Sequence, residues 1–289
     1  MYPYDNPMTN KEYGLPNSIS ILMLCKNKAS YLRTGALSVI EGGRAELVLI
    51  EPGSVDGSRE ICEQLIYEFP SLVNLVTDSD TCAAEGLNNG LAHAKGSIVG
   101  VLNADDIYTP GALTHVLTYF ESHPEIDVLL AGGFLINENT GSWKFVLPTK
   151  ITRTSLGLSR HGSLTFFHQG MFYRRDRFPK ITFNQSNKIN WDKEFLINLF
   201  QSDAKIGYLK LPLAFFRINE NSLTYIGFSR EAMRDNEKYF DSLLNFNSNF
   251  LAAPILGLAL RFKKAIRLVL HTTIIHSKKY IMSKEQADE

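Results

Sequence analysis

The sequence predicts an α/β protein: a mostly parallel sheet with helices on both faces, followed by a helical C-terminal extension. Three observations carry this. Four short, almost wholly apolar runs, at 19–25, 47–50, 72–76 and 98–102, have the length and β-branching of strands buried on both faces. Each is followed by a polar loop and then by apolar residues at helical spacing, which implies right-handed crossovers and parallel pairing. After residue 125 the alternation stops, and the chain continues as a hairpin, further strands and helices.

Composition narrows the partners. The 289 residues carry thirty basic and thirty acidic side chains, so nothing global points to nucleic acid. Cys25, Cys62 and Cys82 are scattered, without a CxxC pair, which suits a reducing compartment. Residues 1–17 are polar and lack the apolar core of a signal peptide, and no run of eighteen apolar residues exists. The expectation is a cytoplasmic protein.

Taken in order, the strand at 19–25 leads through Lys26-Asn27-Lys28 into a helix marked by Tyr31, Leu32, Ala36, Leu37 and Ile40. The strand at 47–50 ends at Glu51, and a loop with Pro52, Gly53 and Gly57 offers Asp56 or Ser58 as a helix cap. Ile61, Cys62, Leu65, Ile66 and Phe69 mark that helix, and the third strand closes at Thr77-Asp78-Ser79-Asp80. The next helix carries Ala83, Leu87, Leu91 and Ala94 but contains Gly86 and Gly90, at about 1 kcal/mol each relative to alanine. Close approach to a ligand or a neighbouring strand is a reason to accept that cost. The fourth strand ends in Asn103-Ala104-Asp105-Asp106, after which Thr109-Pro110 has the pattern of an N-cap and first helical residue.

Beyond 125, runs at 126–130 and 143–147 flank a hairpin loop, and 166–173 reads as a strand ending in Arg174, Arg175 and Arg177 on a solvated edge. Trp191 starts a helix carrying Phe195, Leu196, Leu199 and Phe200. The stretch 209–216 reads as one or two edge strands, because Pro212 has no N–H to give a central ladder. In the tail, Leu251, Ile255, Leu258, Phe262, Ala265, Ile266 and Val269 share a helical face, beside or opposite Arg261, Lys263, Lys264 and Arg267. Such a helix either lies on an anionic membrane through 251–271 or packs on the domain.

Ligands of open parallel sheets bind outside the carboxyl ends of the strands. Asp105 and Asp106 sit at such an end, where two carboxylates hold a hard divalent cation or, more plainly, serve as turn and capping residues.

These segments, in register over 18–225, resemble the inverting family-2 glycosyltransferases of the GT-A fold. The matching stretches are Cys25-Lys26-Asn27, the loop from Glu51 to Ser58, Asp80 to Leu91, Gly100 to Asp106, His168 to Arg175, Asp192-Lys193-Glu194, and Leu213 to Arg217 with Ser222. The resemblance implies a single Rossmann-like sheet, with a nucleotide-binding half at 18–125, an acceptor-side half at 126–225 and a C-terminal helical extension at 226–289. It also implies a nucleotide-sugar donor, a UDP-sugar, and a glycan or lipid-linked saccharide acceptor in surface polysaccharide assembly.

Under it Asp106, with Asp105 turned toward sugar or ribose, holds Mn²⁺ or Mg²⁺, and Asn103 adds a neutral oxygen. Cys25, Asn27, Glu51, Asp80, Asn88 and Arg217 face the donor. For Glu51 and Asn27 a turn role stands beside the nucleotide role. Asn88 could instead bond a neighbouring loop, Arg217 could lie on the surface, and His168 is a cleft residue or a structural one. Asp192 is the candidate general base and Glu194 its competitor; the two lie about 200° apart round a helix at about 100° per residue, so only one faces the cleft. Glu51 stands where the family has Asp, and Cys82-Ala83 where it has Gly-Gln, which bears on the donor nucleotide. A silent nucleotide- or glycan-binding module has no need of Asp192 beside Asp105 and Asp106. A nucleotidyltransferase would show glycine in the loop at 25–28, which has none.

Overall fold

The apolar runs become the centre of one sheet. In a computed structural model, the structure describes residues 18–41, 44–159, 163–218, 230–246, 255–259 and 262. The strands are β1 (Ile19–Leu24), β2 (Ala45–Ile50), β3 (Val73–Val76), β4 (Ile98–Asn103), β5 (Ile107–Tyr108), β6 (Val128–Asn137), β7 (Trp143–Val146), β8 (Met171–Arg174) and β9 (Ile206–Ile218). The helices are α1 (Ala29–Ile40), α2 (Ser58–Glu68), α3 (Ala83–His93), α4 (Ala112–Ser122), α5 (Arg153–Gly157), α6 (Trp191–Gln201) and α7 (Arg230–Leu243). The described residues form a nine-stranded sheet in the order β3-β2-β1-β4-β8-β6-β9-β5, with β7 on β6.

β1 pairs in parallel with β2 on one side and β4 on the other, and β2 with β3, as the strand–helix alternation requires. The winding reverses at β1, so the loops after β1, β2, β3 and β4 surround one crevice at their carboxyl ends. Alternate residues feed two cores. Ile21, Met23, Leu47, Leu49 and Leu102 pack with Leu32, Ala36, Leu65, Val116 and Phe120 of α1, α2 and α4. Leu22, Val48, Ile50, Val99 and Val101 pack with Leu87, Phe195, Leu196, Leu199 and Phe240 of α3, α6 and α7. Helices on both faces are what continuous apolar strands demand.

Several expectations are corrected. β9 is one strand of thirteen residues between β6 and β5, not an edge. Pro212 is accommodated there because the β6–β9 register slips around Gly132, a bulge at which no ladder N–H is required. α4 starts at Ala112 behind Gly111 at φ +75°, while Thr109 gives its N–H to Leu213 O and its hydroxyl to Pro212 O, anchoring β5 to β9 rather than capping the helix. The arginines after β8 are ties, not a solvated edge. Arg174 is buried, donates to Ile126 O and Phe120 O, and lies 5.0 Å from the Phe120 ring centroid. Arg175 bonds Leu91 O and Ala94 O, and Arg177 pairs with Asp127.

α7 packs on α6 through the buried Phe240 and, just beyond its end, Leu244. Residues 255–259 are helical. Residues 1–17, Ser222 and most of 251–271 lie outside the described residues. Among the described residues no helix is long and apolar enough to cross a membrane.

Candidate active site

The loop after β1 and the loop after β2 are stitched together by their own side chains. Asn27, at φ +53°, accepts Val55 N–H on Oδ1 (3.0 Å) and gives its N–H to Ser54 Oγ (2.9 Å). Asp56 accepts from Ala29 N–H and from the Ser58 N–H and hydroxyl, so it secures the start of α1 as well as that of α2. Glu51 is buried; Oε1 accepts Gly53 and Ser54 N–H at 3.1 and 2.5 Å, and Oε2 faces Arg59 at 3.4 Å. Burial pushes its pKa up, but Ser54, Gly53 and Arg59 outweigh this and hold the carboxyl below its ordinary value. Of the roles left open for Glu51 and Asn27, these bonds belong to the turn role. The Cys25 side chain is turned into the core, its thiol giving to Met23 O at 3.2 Å, so the position offers no side chain to the cleft.

α3 lies unusually close to β2, and its two glycines allow it. A Cβ at Gly90 would stand 2.5 Å from Ile50 Cδ1, and one at Gly86 2.5 Å from Asp80 Oδ2. Gly86 therefore leaves room for the Asp80 carboxylate, whose pKa is raised by burial and by the charges of Glu85 and Glu51, against Lys26. Asn88 makes a two-way pair with the Phe183 backbone, Nδ2 to O at 2.8 Å and Oδ1 from N–H at 2.9 Å, the loop-bonding alternative.

The turn after β4 carries the two carboxylates in different settings. Gly35 lets α1 pack on it, since a Cβ there would stand 2.7 Å from Ala104 O and 3.0 Å from Asp106 O. Asp106 is fully buried; Oδ1 accepts Arg217 N–H (2.9 Å) and Oδ2 the Gln169 amide (2.6 Å). Burial, then the Asp105 charge, push its pKa up to about 7, against Arg217 N–H and Gln169. Asp105 is buried less completely and is paired with Lys28 at 2.6 Å. Arg217 pairs with Glu138 at 3.3 Å and lies over the Tyr31 ring, and Tyr31 also bonds Glu138. Its side chain is part of the cleft wall.

Across the cleft, α6 presents Asp192 and hides Glu194. The Asp192 side chain is 27% exposed, with Oδ1 on Lys193 N–H and Oδ2 3.7 Å from His168 Nδ1. His168 Nε2 lies 3.2 Å from Asn103 Nδ2, so the imidazole stands between Asn103 at the end of β4 and Asp192 at the start of α6. Glu194 is buried and accepts from Asn184 (2.8 Å), Asn187 (2.7 Å) and Tyr239 (2.6 Å).

A divalent cation fits the donor chemistry at Asp105. Among the described residues no three His, Cys, Asp or Glu side chains gather to hold an ion. Mg²⁺-type sites, however, use one or two carboxylates and complete their shell with substrate phosphates and water. The Lys28 ammonium on Asp105 marks where positive charge is accepted. Gln169, Lys28 and Gly35 escaped the sequence reading; the helical glycine at 35 was the one available signal.

Comparison with known proteins follows the same lines. The family model "Glycosyl transferase family 2" matches residues 20–181. Minor teichoic acid biosynthesis protein GgaB of Bacillus subtilis is 23% identical over 90% of this chain and 29% of its own length. GgaA of the same organism is 25% identical over 82% of this chain and 56% of its own length, so the chain spans only 29% to 56% of the length of these relatives. Among solved structures, S. aureus TarS 1-349 in complex with UDP-GlcNAc superposes with a TM-score of 0.58 at 18% identity, over 78% of this chain and 70% of that one. The mannosyltransferase PcManGT from Pyrobaculum calidifontis, in complex with GDP-Man and Mn²⁺, gives 0.54 at 13% identity, over 98% and 84%. With its family model covering more than half of the sequence, its parallel sheet and the paired carboxylates at the end of β4, the chain belongs to glycosyl transferase family 2 and has the GT-A fold.

Proposed function

We propose that this chain transfers a sugar from a nucleotide-sugar donor, a UDP-sugar, to a saccharide or lipid-linked glycan in the assembly of a cell-surface polymer, with inversion at the anomeric carbon. The observation that carries this is Asp192. It is a half-buried carboxylate at the start of α6, 3.7 Å from His168, whose other ring nitrogen lies 3.2 Å from Asn103 at the end of β4. Asp192 accepts the proton of the attacking hydroxyl. Asp80 faces the base or ribose, and Arg217 faces the diphosphate. Asp105 would hold Mn²⁺ or Mg²⁺ while Asp106, with both oxygens engaged, braces the turn; a bound cation would supply neutralisation of the leaving diphosphate. The names of GgaA and GgaB support a cell-wall polymer as the destination, and the UDP-GlcNAc bound to TarS supports a uridine nucleotide.

Contact with the cytoplasmic membrane face belongs to the same reading. Ile255, Leu258 and Phe262 are 72%, 65% and 69% exposed at one helical spacing, beside the basic positions of the tail.

The deciding experiment is calorimetric titration of UDP, with Mn²⁺ and with EDTA, into the wild type and Asp105→Ala. Metal-dependent heat that the variant loses supports the donor site. Absence of heat from UDP, GDP and dTDP under every condition overturns it and favours a binding module for another ligand.

A further inference from the structure

We propose that Lys28 is the internal counter-ion of Asp105: its ammonium holds the carboxylate while the cleft is empty, yields it to an arriving divalent cation, and moves onto the diphosphate of the donor. The second half rests on the donor reading above; the first does not.

The geometry is specific. Lys28 Nζ sits 2.6 Å from Asp105 Oδ2, with the Asp105 side chain only 8% exposed and that of Lys28 25%. Lys28 donates to that carboxylate, whereas both oxygens of the adjacent Asp106 are taken by Gln169 and Arg217. The backbone of Lys28 is fixed. Its N–H is held by Ser58 Oγ at 2.8 Å, and its carbonyl accepts from Tyr31 and Leu32 at the start of α1. Only the four-carbon stem is free to swing, and its pivot lies between the loop after β2 and the turn after β4, where a diphosphate would pass.

An ammonium and a divalent ion cannot share one nearly buried carboxylate oxygen, because like charges at contact distance in a water-poor site repel strongly. The two are therefore competitors, and the apparent metal affinity of the empty cleft is lowered by the fraction of Asp105 that Lys28 occupies. Once displaced, the ammonium needs a new anionic partner, and a phosphate oxygen supplies one. Donor and metal binding thus become coupled through one side chain.

Mn²⁺ binding, read from the paramagnetic resonance signal of the free ion, tests the competition without any turnover assay. In the absence of nucleotide, Lys28→Met and Lys28→Gln are expected to bind Mn²⁺ at least tenfold more tightly than the wild type, and Lys28→Arg about as the wild type does. In saturating Mn²⁺, the two neutral variants are expected to bind UDP at least fivefold more weakly by calorimetry. Unchanged or weaker Mn²⁺ binding in both neutral variants overturns the proposal, as does Lys28→Arg behaving like Lys28→Met, since that would make the effect one of packing. Tighter Mn²⁺ binding with unchanged UDP affinity overturns the transfer to diphosphate. If the wild type binds no nucleotide at all, the donor reading fails, while the Mn²⁺ comparison still decides whether Lys28 and the metal compete.

Discussion

Asp192 and Glu194 are two carboxylates two positions apart on one helix, and their surroundings give them opposite tasks. Asp192 is partly exposed, whereas the buried Glu194 accepts from Asn184, Asn187 and Tyr239. Glu194→Ala is expected to cost about 3 kcal/mol in urea unfolding, because it strands Asn184, Asn187 and Tyr239. Asp192→Asn is expected to change stability by less than about 1 kcal/mol and to lower turnover of a UDP-sugar by about 10²–10⁴-fold with UDP affinity retained. Equal losses of stability in the two variants would refute this division of labour. The sequence told that only one of the pair could face the cleft; which one depends on Tyr239, forty-five residues away, and no local pattern reports that. Glu51 makes a similar point. Its place at the strand end was legible, but its partners are the N–H groups of its own loop. Its folded pKa lies below the unfolded value of about 4.3. Its contribution to stability is therefore present above that value and lost as pH falls through the lower, folded one. The urea midpoint of Glu51→Gln should lack that part of the wild type's decline in acid.

At the scale of elements, the site is built by close approaches that glycine permits. Gly86 and Gly90 were legible as an anomaly in a helix, and α3 lying against β2 and Asp80 is its cause. Gly86→Ala is expected to push the Asp80 carboxylate aside and weaken UDP binding measured by calorimetry, with the fold retained. Gly35→Ala meets backbone at Ala104 rather than a flexible side chain, so the turn bearing Asp105 must move, at about 1–3 kcal/mol in urea unfolding. A variant as stable as the wild type would show that α1 does not brace the turn. α7 was the least legible element, because much of its attachment is polar. Lys193 pairs with Glu237 and lies 3.8 Å from the Phe240 ring centroid, and Asn190 bonds Asn236. Hydrophobic periodicity is blind to such contacts.

Across the molecule, legibility follows strand chemistry. The parallel half was readable because strands covered on both faces are continuously apolar. In the other half, β6 and β9 contain three glycines and a proline and meet across a bulge, so neither the length nor the neighbours of β9 follow from its residues. The tail is tested at this scale too. Replacing Ile255, Leu258 and Phe262 together by serine is expected to abolish co-sedimentation with anionic vesicles and leave UDP binding intact; retained co-sedimentation would point to another surface. Finally, the imidazole of His168 stands between Asn103 of β4 and Asp192 of α6. An aspartate transplanted with α6 alone, from a relative with a different acceptor, would arrive without the ring that seats it. The smallest cassette that can be traded between such enzymes therefore runs from 168 to 194, and acceptor preference should travel with that whole stretch rather than with the helix.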